Sequence, residues 1–188
     1  LGSKVLGFTG SDNQGIIGLE VIYEEYLAGK KGTILTVTDA RGIEVEEAGE
    51  SRIEPVNGGD LHISMDMNIQ SYATQLAYQA METKEAKSVS IIVMNAKTGE
   101  ILAMVNTPEF DLNEPYVLTE DILKYAGGTD VSGNSISSGD DLSEQEKQNL
   151  LNTMWRNGCI NDPYEPGSTF KIITAAAGLE SGVVTPQS

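Results

Sequence analysis

Tyr164-Glu165-Pro166-Gly167-Ser168-Thr169-Phe170-Lys171-Ile172-Ile173 is the stretch from which the rest of the chain is best read. Pro166 and Gly167 interrupt the backbone, and Ser168 to Leu179 is compatible with a helix that opens on a serine. Lys171 lies one turn on; positions i and i+3 share a helix face, so its amine can come within hydrogen-bond reach of the Ser168 hydroxyl. From Ser168 through Leu179 it is the only charged residue among Phe, Ile, Ala, Thr, Gly and Leu, which predicts a buried helix. Burial disfavours an ammonium, so a lysine in such a helix is either an uncompensated cost or a tuned general base. A serine hydroxyl is a weak nucleophile until a base takes its proton, and base catalysis of this kind is worth about 10² to 10⁴ in rate. Backbone N–H groups at the helix start can also face a developing oxyanion. A bare S-x-x-K is common on solvated helices; the Pro-Gly entry and the apolar helix favour the catalytic reading here.

Tyr-Glu-Pro-Gly-Ser-Thr-Phe-Lys-Ile at 164–172 resembles the active-site signature of the class B penicillin-binding proteins. Gly7-Phe8-Thr9-Gly10 followed by Gly15-Ile16-Ile17-Gly18-Leu19-Glu20 resembles that family's G-x-x-G…G-x-x-G-L-E segment ahead of the catalytic domain. Asp60 to Gln70 resembles its G-x-D-L-x-L-T-x-D-x-x-I-Q entry. Asn95-Ala96-Lys97-Thr98-Gly99-Glu100-Ile101-Leu102-Ala103-Met104 resembles its D-x-x-T-G-E-I-L-A-M hairpin, with Asn95 where an acidic residue is usual. The motifs follow the family's order over nearly the whole chain, and their wording is closest to sporulation-type members from Gram-positive anaerobes.

The 188 residues suit one to two domains, and a hydrophobic content of 39% supports a real core. A formal charge of −16 argues against nucleic acid and against direct adsorption to anionic lipid. The single cysteine excludes an internal disulfide framework. No apolar run of membrane-spanning length and no signal peptide is present, yet the chain starts at Leu1-Gly2-Ser3 without methionine and reads as an excised piece. The resemblance implies an anchoring N-terminal helix upstream of Leu1 and a location on the extracytoplasmic face of the cell membrane.

In chain order, Val5 to Phe8 is predicted as a short strand, Leu19 to Ala28 as a helix stopped by Gly29, and Thr33 to Thr38 as a strand turning at Asp39-Ala40-Arg41-Gly42 into Ile43 to Glu46. Residues 1–58 read as the end of a non-catalytic, dimerisation-type pedestal, closed by the turn at Pro55 to Gly59; residues 59–188 read as the N-terminal part of a transpeptidase domain. There, Leu61 to Met65 is predicted as a strand, with Asp66 capping a helix Met67 to Thr83 whose inner face is Ile69, Tyr72, Leu76 and Ala80. Val89 to Met94 and Glu100 to Val105 form an antiparallel hairpin, by resemblance the first two strands of the transpeptidase sheet. A short helix is expected from Glu120 to Tyr125, a loop from Gly127 to Asp141, and a helix opened by the capping box at Ser143 to Glu146 and running to about Trp155, a packing residue. His62 reads as a surface or partly packed histidine. Cys159 and Asp162 supply only two potential metal ligands, too few for a zinc site.

Two further matches mislead. Ser11-Asp12-Asn13 fits S-x-N and Lys97-Thr98-Gly99 fits K-T-G, but both precede Ser168, whereas the family's order is S-x-x-K, S-x-N, K-T-G. Lys97 also falls in a hairpin turn, where the family's K-T-G lies along a strand. The twenty residues after Ser168 contain neither element, so residues 1–188 alone are not expected to react.

The fold expectation is thus α+β, an antiparallel sheet with packed helices of the penicillin-binding transpeptidase and serine β-lactamase type, incomplete here and preceded by a small α+β pedestal segment. The resemblance implies a D,D-transpeptidase that cross-links peptidoglycan with Ser168 as nucleophile and Lys171 as its base, without metal or organic cofactor. Its partners would be stem peptides ending in D-Ala-D-Ala, β-lactam antibiotics, and a membrane glycosyltransferase met through the pedestal. A class D β-lactamase or β-lactam sensor domain, which also carries Ser-Thr-Phe-Lys, and a non-catalytic scaffold are the alternatives.

Overall fold

The computed structural model describes residues 1–35, 51–125 and 142–188. The continuation of the predicted pedestal hairpin over residues 36–46 and the predicted loop Gly127 to Asp141 lie outside them. The described elements run α1 (Ser3–Leu6), α2 (Gly18–Ile22), α3 (Glu24–Leu27), β1 (Thr33–Leu35), β2 (Ser51–Ile53), α4 (Met67–Thr83), β3 (Ser90–Met94), β4 (Ile101–Asn106), α5 (Glu120–Tyr125), α6 (Glu144–Trp155), α7 (Gly158–Asn161), a 3-10 turn at Gly167–Phe170, and α8 (Lys171–Glu180). Helices packed with two small antiparallel sheets make this an α+β fold, as expected.

Caps set the longer helices. The Asp66 carboxylate accepts from the N–H groups of Asn68 (2.9 Å) and Ile69 (3.0 Å), a cap worth about 1 kcal/mol, and α4 starts at the next residue. Ser143 and Glu146 close the reciprocal capping box at the start of α6.

β3 and β4 pair antiparallel from Ser90↔Asn106 to Met94↔Ile101, with an irregularity between Val93 and Met94. α4 lies across this hairpin. Ala73 and Ala77 are buried against Ala103 and Val105, with Ile69, Val89, Ile91 and Val93 around them. The buried face of α4 is therefore Gln70, Ala73, Thr74 and Ala77, one position round from the expected one; Tyr72 is 65% exposed and Leu76 40%. Alanine facing alanine lets helix and strand approach closely, and the larger side chains move to the flanks.

The second core joins the start of the chain to α6. Phe8, Phe110, Ile122, Leu151 and Met154 are buried together. Phe8 meets Phe110, Tyr116 and Trp155 edge-to-face, at centroid distances of 6.2, 5.6 and 5.2 Å, and Trp155 Nε1 donates to the Pro115 carbonyl at 2.8 Å. Burying one phenylalanine contributes about 1.5–3 kcal/mol, so this ring fastens the first residues to the later helices.

Three expected elements differ. Val5 to Phe8 is not a strand: Ser3–Leu6 is a helical turn ended by Gly7, whose φ of 83° suits glycine and whose added Cβ would stand 1.9 Å from the Ile17 carbonyl oxygen. The helix expected over Leu19 to Ala28 breaks at Tyr23 (φ −106°, ψ 19°) into α2 and α3. Leu61 to Met65 belongs to no strand; it runs beside β4, the Ser64 hydroxyl donating to the Ile101 carbonyl (2.8 Å) and the Asp66 N–H to the Leu102 carbonyl (2.9 Å).

Candidate active site

The approach to the Ser168 stretch is built at the end of β4. Asn106 is 6% exposed, and its Oδ1 accepts from Lys4 Nζ and from the Gly158 N–H, each at 3.0 Å, while its Nδ2 donates to Ser90 Oγ at 2.9 Å. Asn157 caps α7 by accepting from the Cys159 N–H at 3.0 Å, and its Nδ2 reaches the Lys4 carbonyl at 3.4 Å. At the far end of α7, Arg156 pairs with Asp162 through Nε and donates through Nη2 to the Asn161 carbonyl at 2.6 Å. The chain then passes Pro163, Tyr164, Glu165 and Pro166 and enters the 3-10 turn at Gly167, whose φ is 58°.

Within that turn the Lys171 N–H donates to the Ser168 carbonyl. In 3-10 geometry side chains at i and i+3 eclipse, so Ser168 and Lys171 project from one side of the segment. Thr169 Oγ1 donates to the Pro166 carbonyl at 2.6 Å and tightens the entry. Among the described residues no hydrogen bond joins the two catalytic candidates' side chains. The expected burial is not found: Ser168 and Lys171 are exposed, as are Phe170 (51%), Ile172 (76%) and Ile173 (59%). An apolar sequence makes a buried helix only where something packs on it, and among the described residues none buries α8, which is exposed throughout except at Gly178, where Val184 folds back.

Among the described residues, the lysine that burial desolvates is Lys4. It is 6% exposed, and burial pulls its amine down to about 8, against the opposing pull of Glu109, Cys159 and Asp162. The sequence carried no local signal for it, since its partner Asn106 stands 102 positions away. Around the same junction the Gly2 N–H donates to Glu109 Oε1 (2.9 Å), the Glu109 N–H to Tyr78 Oη (2.9 Å) and the Phe110 N–H to Ser3 Oγ (3.3 Å). Burial raises the Tyr78 phenol and the Cys159 thiol above their usual values.

Cys159 Sγ donates to the Val105 carbonyl at 3.2 Å and Asp162 is taken by Arg156, so neither projects as a ready ligand. Among the described residues no three His, Cys, Asp or Glu side chains are grouped to hold a metal, and His62 is exposed. Lys97, Thr98 and Gly99 lie in and beside the β3–β4 turn, and Ser11 to Asn13 in another turn. A cleft of about 550 Å³ lies between β3 and the approach segment, with Ser90, Asn106, Cys159 and Tyr164 on its walls.

Comparison with known proteins agrees with this architecture. Residues 89–188 match the penicillin binding protein transpeptidase domain and residues 2–63 the penicillin-binding protein dimerisation domain. Stage V sporulation protein D of Bacillus subtilis is 32% identical over 95% of the chain, which covers 23% of that relative. A probable peptidoglycan D,D-transpeptidase PenA of Neisseria gonorrhoeae is 33% identical over 96% of the chain, which covers 26% of it. Among solved structures, penicillin-binding protein 3 of Mycobacterium tuberculosis complexed with ampicillin superposes with a TM-score of 0.61 at 28% identity, over 99% of this chain and 30% of that one. The chain belongs to the penicillin-binding protein transpeptidase family, in the class B arrangement with a dimerisation domain ahead of the catalytic one. It spans about a quarter of the length of these curated relatives. A class D β-lactamase, a β-lactam sensor and a bare scaffold are not favoured by these matches.

Proposed function

We propose that this chain is part of a peptidoglycan D,D-transpeptidase in which Ser168 is the nucleophile and Lys171 its general base. The observation that carries the reading is the 3-10 turn, which sets both side chains on one side of a segment entered through Pro166 and Gly167. Ser168 Oγ attacks the penultimate D-Ala carbonyl of a stem peptide. Lys171 accepts the hydroxyl proton and passes it to the nitrogen of the departing D-Ala, and an amine of a neighbouring stem then takes the acyl group from the serine. β-Lactams acylate the same oxygen.

The exposed faces of α8 are surfaces that the remainder of the transpeptidase domain covers in the complete protein. That cover takes the Lys171 amine out of water and brings the S-x-N and K-T-G elements to it. Residues 1–58 are the end of the pedestal, through which a membrane glycosyltransferase docks, and residues 59–188 open the catalytic domain. The protein works on the extracytoplasmic face of the membrane, held by an N-terminal helix. Its motif wording assigns it to the sporulation-type Gram-positive members, so loss of the gene is expected to lower the yield of heat-resistant spores while vegetative growth continues.

The test is to label the complete protein with a fluorescent penicillin and map the adduct. One label per protein on the Ser168 peptide is expected; a label elsewhere, or none, overturns the assignment.

A further inference from the structure

We propose that Asn106 is a positioning residue for the Ser168 chemistry, fixing through its Oδ1 the corner from which the nucleophile segment departs. The inference rests on the reading of Ser168 as nucleophile and adds a residue that the S-x-x-K pattern does not contain.

The corner is tied at both ends. Asn106 Oδ1 accepts from the Gly158 N–H at 3.0 Å and fastens the first residue of α7 to the last residue of β4. The approach is close: a Cβ on Gly158 would stand 2.9 Å from Asn106 Nδ2 and 2.8 Å from Asp162 Oδ2, so those side-chain ends would have to shift to admit one. At the other end, Arg156 holds both Asp162 and the Asn161 carbonyl. The same Asn106 oxygen accepts from Lys4 Nζ at 3.0 Å, so helix α1, in the region matched by the dimerisation domain, closes on the same atom.

What lies between the corner and Ser168 transmits its position. Pro163 and Pro166 lock φ at two of the four residues that follow Asp162, and the residues preceding them are biased to extended backbone. Asp162 obeys, with φ −100° and ψ 121°. The two proline φ angles are thereby withdrawn from the torsions that could absorb a displacement of α7 before the turn at Gly167. A displacement of about 1 Å at a reacting group can cost on the order of 10² in rate. Asn106 does not itself touch the reacting atoms; it acts through Gly158.

The experiment follows acylation of the complete protein by a labelled penicillin, separating the non-covalent dissociation constant from the rate constant at saturation. Asn106→Ala is expected to slow the saturated rate at least 10-fold with the dissociation constant within about 3-fold. Asn106→Asp keeps an oxygen acceptor for Gly158 and Lys4 and is expected to recover most of the rate. Gly158→Ala, which opens the same contact with Asn106 intact, is expected to show the same rate defect and carries the test if Asn106→Ala fails to fold. Folded variants that acylate at the parental rate overturn the proposal. So does a loss confined to the dissociation constant, or an Asn106→Asp protein as slow as Asn106→Ala. Failure of the unaltered protein to label at Ser168 instead removes the nucleophile assignment on which the proposal stands.

Discussion

Gln70 bonds Met104 twice: its Nε2 donates to the Met104 carbonyl at 3.0 Å and its Oε1 accepts from the Met104 N–H at 2.9 Å. A helix side chain thereby does for β4 what a further strand would do. With Gln70 only 3% exposed, neither backbone group has easy recourse to water. Gln70→Ala is expected to lower unfolding free energy by about 2–4 kcal/mol, since each buried unpaired group costs roughly 1–3 kcal/mol. Denaturant unfolding checks the loss, and amide exchange at Met104 should speed up in step. Unchanged exchange at Met104 would show that the side chain is not its partner in solution.

The Lys4 amine gives a pH dependence of definite sign. Its value falls from 10.5 in the unfolded chain to about 8 in the folded one. Between these values the unfolded state holds the proton and the folded state does not, so the Lys4 contribution to stability rises with pH from about 8 to 10.5. Below 8 the folded protein carries the buried charge at its full cost, on the order of 3 kcal/mol by linkage. Lys4→Met should remove this slope, so the parent should gain stability relative to the variant as pH rises through that window. A difference between the two that stays flat from pH 7.5 to 10.5 would contradict the burial of the amine.

Substitution is expected to separate the S-x-N match at Ser11–Asn13 and the K-T-G match at Lys97–Gly99 from the S-x-x-K pair. Lys97 lies in the turn between β3 and β4, where the Asn95 carboxamide oxygen accepts from its N–H at 3.0 Å, and Ser11 lies in an exposed turn. Ser11→Ala and Lys97→Ala should leave β-lactam acylation of the complete protein within a few-fold. Lys171→Ala should slow it by about 10² or more, and Ser168→Ala should abolish it. Rate constants from gel-resolved labelling decide, and a Lys97 loss comparable to that of Lys171 would make Lys97 catalytic.

What the sequence disclosed was local. Asp66, Ser143 and Glu146 announce α4 and α6 because a cap acts on N–H groups two or three residues away, and the Asn95–Gly99 turn fixes the hairpin in the same way. That Ser168 and Lys171 share one turn is legible in the same local way. Val5 to Phe8 misled because a short apolar run suits strand and helix alike, and Gly7 is decided by the Ile17 carbonyl ten residues on. The apolar composition around Lys171 suggested a desolvated lysine, yet exposure depends on what packs over it. Lys4 acquired that environment from Asn106 and α7, distant in sequence.

The exposed face of α8 predicts the behaviour of residues 1–188 as an isolated polypeptide. Phe170, Ile172, Ile173 and Val183 are each at least half exposed and close in sequence, and one edge of β3 has no strand partner among the described residues. Clustered apolar side chains and an open strand edge both favour association. Sedimentation at micromolar concentration should therefore show species larger than the monomer. Ile172→Glu with Ile173→Lys should shift the distribution toward monomer, because charges at these positions oppose desolvation of the helix face. The same polypeptide should not take up labelled penicillin one-to-one, because its Lys171 amine lies in solvent rather than against the hydroxyl it would deprotonate. A monodisperse monomer that acylates stoichiometrically would show that Ser168 and Lys171 need no cover beyond these residues.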